Sequence, residues 1–162
     1  MTMDDTAADK QLADLMDPGT TLMVGTTSAD GALEFRPLTV ARVEGARIEI
    51  LVDGTESWTS SLHDGSSAEV TLSDDRTNTW ASLHATASTT TDSDVIDELW
   101  SPPAAAYFDD GRESDGITVL RLDVDRGRYW STTTGRLGSI VSMLRAAFGD
   151  AERSGEHGDV AT

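Results

Sequence analysis

Apolar residues recur along this chain mostly in short alternating runs, the spacing of half-buried strands and not of long helices. Leu22, Met23 and Val24 form the first run, and Ala32, Leu33 and Phe35 lead the second, with Asp30-Gly31 between them. That pair predicts a hairpin with a primed two-residue turn, because such turns demand positive φ. Arg36 is followed by Pro37, which has no N–H for a central ladder, so the strand bends, bulges or lies at an edge there. Leu38 to Val43 continues extended to a turn at Glu44-Gly45. Arg47 to Val52 and Ala68 to Leu72 alternate as further strands, and Thr79 to Thr90 reads as a long one. Leu120, Leu122 and Val124 alternate with Arg121 and Asp123 in a strand that Gly127 is expected to end before Tyr129-Trp130 resumes it.

Helical spacing is confined to short segments. Lys10 to Met16 is stopped by Asp17-Pro18-Gly19, and Trp58 to His63 makes about two turns. Asp92 or Ser93 caps a helix through Val95, Ile96, Leu99 and Trp100, which Ser101-Pro102-Pro103 stops. Ala104 to Phe108 adds a short turn of helix, and Ile140, Val141, Leu144, Ala147 and Phe148 share one face of a last one. Residues 1–9 and 151–162 are polar and expected to be disordered, leaving 10–150 as one domain with no internal repeat. The prediction is a mainly β (α+β) chain, an antiparallel barrel with peripheral helices.

Charge changes this picture more than any other property. The 162 residues include 29 acidic and 12 basic side chains, a formal net charge of −17, and Lys10 is the one lysine. Self-repulsion of that size is costly in dilute buffer and largely screened at molar salt, where the Debye length is ~3 Å. The composition therefore fits a halophilic protein. No basic patch exists to neutralise phosphates, so nucleic acid is not an expected partner. No apolar run approaches the ~18 residues of a membrane span, and the expectation is a cytoplasmic protein without a membrane partner. Absence of cysteine excludes disulfides and thiolate metal sites.

Motifs with their own chemistry are missing. His63, His84 and His157 match no metal-binding spacing, and there is no G-x-S-x-G elbow, Walker loop or G-x-G-x-x-G. What remains is Arg36 at a strand break, the loop Thr55-Glu56-Ser57-Trp58-Thr59-Ser60 leading into a helix, and four tryptophans. A fixed cation and loop hydroxyls suit an anion such as phosphate, and tryptophan suits a planar ring. The same tryptophans also serve simply as core, and Arg36 as a surface charge.

The order of these features resembles the general stress protein 26 branch of the pyridoxamine 5′-phosphate oxidase-like flavin-binding split barrels. The family's short helix, apolar strand, D-G hairpin and R-P-M correspond to Lys10–Met16, Leu22–Thr26, Asp30-Gly31 and Arg36-Pro37-Leu38. Its loop entering a helix corresponds to Thr55–Leu62, and D-x-x-x-I-x-x-L-W-x-P to Asp92 through Ile96, Leu99, Trp100 and Pro102. Tyr107-Phe108 before Gly111 and the strand ending in Tyr129-Trp130 complete the match. The resemblance implies a six-stranded antiparallel split barrel that forms a homodimer, with flavin mononucleotide (FMN) in a groove between subunits. It places Arg36, Ser57 and Thr59 at the phosphate and Pro37, Leu38 and Thr39 along the ring. Two positions depart from the pattern: the family's lysine falls on Trp58, and a strand-end threonine on Val52. On that alignment Trp58→Lys is expected to strengthen FMN binding. The implied function is a flavin-dependent oxidoreductase or stress flavoprotein. Relatives on this fold also use F420 or haem, for which His63 or His84 would be the axial ligand, and a non-catalytic dimeric protein without cofactor is the remaining alternative.

Overall fold

The computed structural model describes residues 12–131 and 156–161, with Ser131 and 156–161 as backbone. Residues 12–15 are helical (α1), and the chain then enters β1 (Thr21–Thr27), β2 (Leu33–Thr39), β3 (Arg42–Glu44) and β4 (Arg47–Asp53). A single turn of helix, α2 (Ser57–Ser60), precedes β5 (Ser66–Asp74) and β6 (Thr79–Thr90). Helices α3 (Ser93–Leu99) and α4 (Pro102–Tyr107) lead through a 3-10 turn at Gly111–Glu113 into β7 (Ile117–Ser131), and β8 is Glu156–Ala161. All pairings are antiparallel, in one sheet ordered β2-β1-β5-β6-β7-β4-β3, with β8 added to β7. The six expected strands are the long ones, β1, β2, β4, β5, β6 and β7. Among the described residues β3 and β8 are short additions.

Curling brings the two ends of this sheet together. Val40 donates its N–H to the Thr20 carbonyl at 2.9 Å, and the next residue, Ala41, donates to the Glu49 carbonyl of β4 at 2.9 Å. One dipeptide thus bridges the β1 side and the β4 side, and the strand expected to run from Leu38 to Val43 breaks there into β2 and β3. Inward side chains fill the interior, among them Leu22, Val24, Ile48, Ile50, Val70, Leu83, Leu120 and Leu122, each at most 1% exposed. A smaller cluster on the other face of β4 and β7 joins Ile96, Leu99 and Phe108 to Ile117 and Val119, and so seats α3 and α4.

Several local expectations change. Gly31 takes positive φ (+87°) and Asp30 does not, so the first hairpin is no two-residue turn; Gly31 donates to the Ser28 carbonyl at 2.9 Å across a longer connection. Gly127 does not end a strand: β7 runs through it for 15 residues. A Cβ at Gly127 would stand 2.4 Å from Leu83 Cδ2 and 2.8 Å from the Ser82 carbonyl, so the glycine permits close approach of β6. Helix α2 stops after one turn because Ser60 and Ser61 turn their hydroxyls onto the carbonyls of Ser57 and Trp58, at 3.0 and 2.7 Å, competing with helix continuation. Pro102 and Pro103 end α3 and also open α4, at its first positions, where no intrahelical N–H is needed. Residues 156–161, expected within a disordered tail, form β8. They cover the edge of β7 at Arg126–Ser131, which β4 leaves bare because it pairs only with Ile117–Asp123. The expected disorder of 1–9 and the last helix at Ile140–Phe148 lie outside the described residues.

Candidate functional site

Where the sheet fails to close, two strand edges face one another. Among the described residues β2 is the terminal strand and one of its edges has no ladder partner; this is the edge setting that tolerates Pro37. β3 pairs with Arg47–Glu49, and among the described residues nothing pairs with the Leu51–Asp53 edge of β4 beyond it. A cavity of about 460 Å³ occupies this split. Five successive residues of the β2 end, Arg36 to Val40, line it together with Leu51, Val52 and Asp53. Successive residues alternate between sheet faces, so the cavity meets both strands at their edges. Leu99, Tyr107 and Phe108 from α3, α4 and the residue after it form the far wall, and Glu56 and Trp58 close one end.

Arg36 is the only cation among the described residues lining this cavity. Its side chain is 17% exposed and held from several sides. Nη1 donates to the Oγ1 of buried Thr26 at 2.8 Å, and Nη2 reaches the exposed carboxylate of Glu34 at 3.4 Å. The guanidinium also lies over the Trp58 ring, 4.4 Å from its centroid. Trp58 donates its indole N–H to the Glu56 carboxylate. The loop carrying both residues is tied to the end of β4. Asp53 accepts from the Thr55 N–H at 2.8 Å and the Thr55 hydroxyl at 2.6 Å, and those bonds hold its carboxyl below the usual aspartate value. Thr59 donates its hydroxyl to the Asp53 carbonyl at 2.9 Å.

Six of the eight residues expected at the site therefore come together: Arg36, Pro37, Leu38, Thr39, Val52 and Trp58 all line the cavity. Ser57 and Thr59 do not. Ser57 is exposed, and Thr59 is buried with its hydroxyl committed to the loop's own backbone. One turn of helix also gives α2 little dipole to offer an anion. Asp53 and the α3–α4 wall were not expected at the site, and Glu56 was singled out only as part of the loop Thr55–Ser60. The apolar spacing that identified Leu99 as a buried helix residue cannot say which cavity a helix borders. His63 and His84 lie off the cavity; His84 instead pairs with Asp125 through Nδ1 at 2.8 Å, at the bulge between β6 and β7.

A curled antiparallel sheet with an apolar cavity in its split defines a split barrel. The family model described as pyridoxamine 5′-phosphate oxidase like matches residues 7–153, and the chain belongs to that family. Protein bli-3 of Neurospora crassa is 26% identical over 134 residues, 76% of this chain; the match spans 64% of bli-3, less than two thirds of its length. Among solved structures, a Jannaschia sp. CCS1 protein described as general stress protein 26 superposes with a TM-score of 0.69 at 21% identity, covering 99% of this chain and 100% of that one. The general stress FMN/FAD binding protein of Xanthomonas citri gives 0.66 at 23% identity, covering 79% of this chain and 91% of its own. At these identities the two structural likenesses show a shared fold. No helix among the described residues is long and apolar enough to cross a membrane.

Proposed function

We propose that the protein binds FMN in the split of its barrel and works as a stress-linked flavoprotein, with flavin-dependent oxidoreduction as its chemistry. The observation that carries this reading is the cavity itself, where unladdered strand edges, aromatic walls and one oriented arginine converge. The residues fit such a group. The open edges of β2 and β4 offer backbone N–H and C=O groups to the rim of a flat heterocycle, and Trp58, Tyr107 and Phe108 offer ring surface. Arg36 meets the phosphate. Asp53 and Glu56 oppose it, which makes this a moderate phosphate site whose affinity comes largely from the ring. The flavin, when bound, supplies the redox chemistry, and the chain binds and orients it. With no histidine on the cavity wall among the described residues, haem would lack an axial ligand there.

The protein is further proposed to be a homodimer. Met23, Leu33 and Phe35 are 40%, 55% and 44% exposed, and the β1–β2 register puts them on one outer face, an apolar surface suited to a second copy. Purified protein titrated with FMN in molar KCl tests the main reading. Quenching of flavin fluorescence with saturation is expected, and absence of binding at every salt concentration overturns it. Light scattering in the same buffer is expected to give twice the 17.3 kDa chain mass. Given the −17 charge, melting temperature is expected to rise with KCl.

A further inference from the structure

Trp58 lines the split beside Arg36, and its contacts show what it does there. The Trp58 ring lies against the Arg36 guanidinium at 4.4 Å, within the ~6 Å over which cation–π attraction acts. The ring is fixed in turn: Glu56 accepts the indole N–H, and the side chain packs against the barrel core. Arg36 uses Nη1 on Thr26 at 2.8 Å and reaches Glu34 only weakly at 3.4 Å, so most of its N–H donors remain for a ligand.

We propose that Trp58 is a positioning residue, which holds the plane of the Arg36 guanidinium so that its edge is presented to a phosphate monoester in the cavity. The inference rests on the flavin-groove reading. A lysine at this position would act as a compact point charge, and its pull would fade with salt. An arginine held over the ring acts through directed hydrogen bonds as well as charge, and salt screens the charge without reorienting the donors. Trp58 brings no second charge to the cavity and orients the one that is there. In a protein of net charge −17 that orientation keeps phosphate recognition effective at high ionic strength.

Titration with FMN and with riboflavin, which has the same ring and no phosphate, separates this role from simple packing. In molar KCl, Trp58→Leu is expected to lower the FMN-to-riboflavin affinity ratio roughly five- to thirtyfold, the range of a partly desolvated cation–π contact. Trp58→Phe should keep most of the ratio. Adding Arg36→Ala to Trp58→Leu should lower the ratio no further than Arg36→Ala alone. Trp58→Lys is expected to match or exceed wild type in dilute buffer and to fall below it in molar KCl, with circular dichroism checking that the variant is folded. This reverses, at high salt, the expectation drawn from the family pattern. An unchanged ratio in Trp58→Leu, additive effects of the two substitutions, or a Trp58→Lys ratio above wild type in molar KCl overturns the proposal and leaves the flavin groove standing. Binding of neither flavin by the wild type at any salt overturns both.

Discussion

Arg36 on β2 and Arg42 on β3 are close in sequence, yet they meet opposite surroundings. Arg42 donates from Nε to Glu49 at 2.6 Å and from Nη1 to Glu98 of α3 at 3.1 Å, and Arg121 of β7 reaches the other oxygen of Glu49 at 3.0 Å. Glu49 is only 1% exposed, so this is a closed network of carboxylates and guanidinia that fastens α3 to the sheet. Arg36 has a neutral hydroxyl, an exposed carboxylate at 3.4 Å and an aromatic face, and it borders a cavity. A buried charge whose partners are complete contributes architecture. A charge held in place with donors to spare is ready for a ligand. The contrast separates an arginine built into the frame of the sheet from one that borders a cavity with donors to spare.

Breaking the closed network should give the largest effect. Glu49→Ala takes the shared buried partner from two arginines, leaving Arg42 with Glu98, and is expected to destabilise the fold by roughly 2–4 kcal/mol. That is somewhat below the ~3–5 typical of a fully buried pair, because Arg42 and Arg121 remain 33% and 27% exposed and can rehydrate. Urea unfolding measures it, and an unchanged midpoint would contradict the structural role. The same network predicts acid sensitivity. Burial opposes ionisation of Glu49, but Arg42 and Arg121 outweigh it and hold the carboxyl below its ordinary value of 4.5. A depressed carboxyl pKa gives stability that is complete above the ordinary value and lost as pH falls through the native one. Wild type should therefore lose stability below about pH 4.5 more steeply than Glu49→Gln, read from melting temperature against pH.

The open arginine should behave in the reverse way. Arg36→Ala is expected to shift stability little and to weaken FMN about ten- to a hundredfold, from the ~1.5–3 kcal/mol of a charge-assisted hydrogen bond. Equal FMN affinity in the variant would remove Arg36 from the phosphate. The smallest effect belongs to the wall that both regions share. Asp92 caps α3 by accepting the Asp94 N–H at 2.9 Å, so Asp92→Ala should cost about 1 kcal/mol by urea unfolding. Because α3 carries Leu99 to the cavity, a modest fall in flavin affinity should accompany it.

Alternation and turn chemistry were enough to locate the long strands. Thr79 to Thr90 forms the strand expected at the same bounds, and Asp92 is the cap its side chain promised. Local reading went wrong where a distant neighbour decided. Gly127 looks like a strand breaker until β6 is placed against it, and residues 156–161 look like tail until the bare edge of β7 is known. Arg36, Pro37, Leu38 and Thr39, which line the cavity, were legible as a stretch apart because a cation beside an edge-seeking proline is a local signal. Ser57 and Thr59 carried the same polar signal and lie off the cavity, since hydroxyls serve backbones as readily as ligands.

Residue pattern alone was enough for the class of fold, the charge of −17 and the strand stretch that borders the cavity. Those follow from period, composition and the fixed geometry of proline and glycine, all properties of residues near one another in the chain. Tertiary structure alone decided that the sheet stops short of closing, that α3 and α4 wall the opening, and that Trp58 lies on Arg36. Each of these depends on the relative placement of segments far apart in sequence, or on the face a side chain presents. Hydrophobic patterning says that a residue is buried and is silent about what it is buried against.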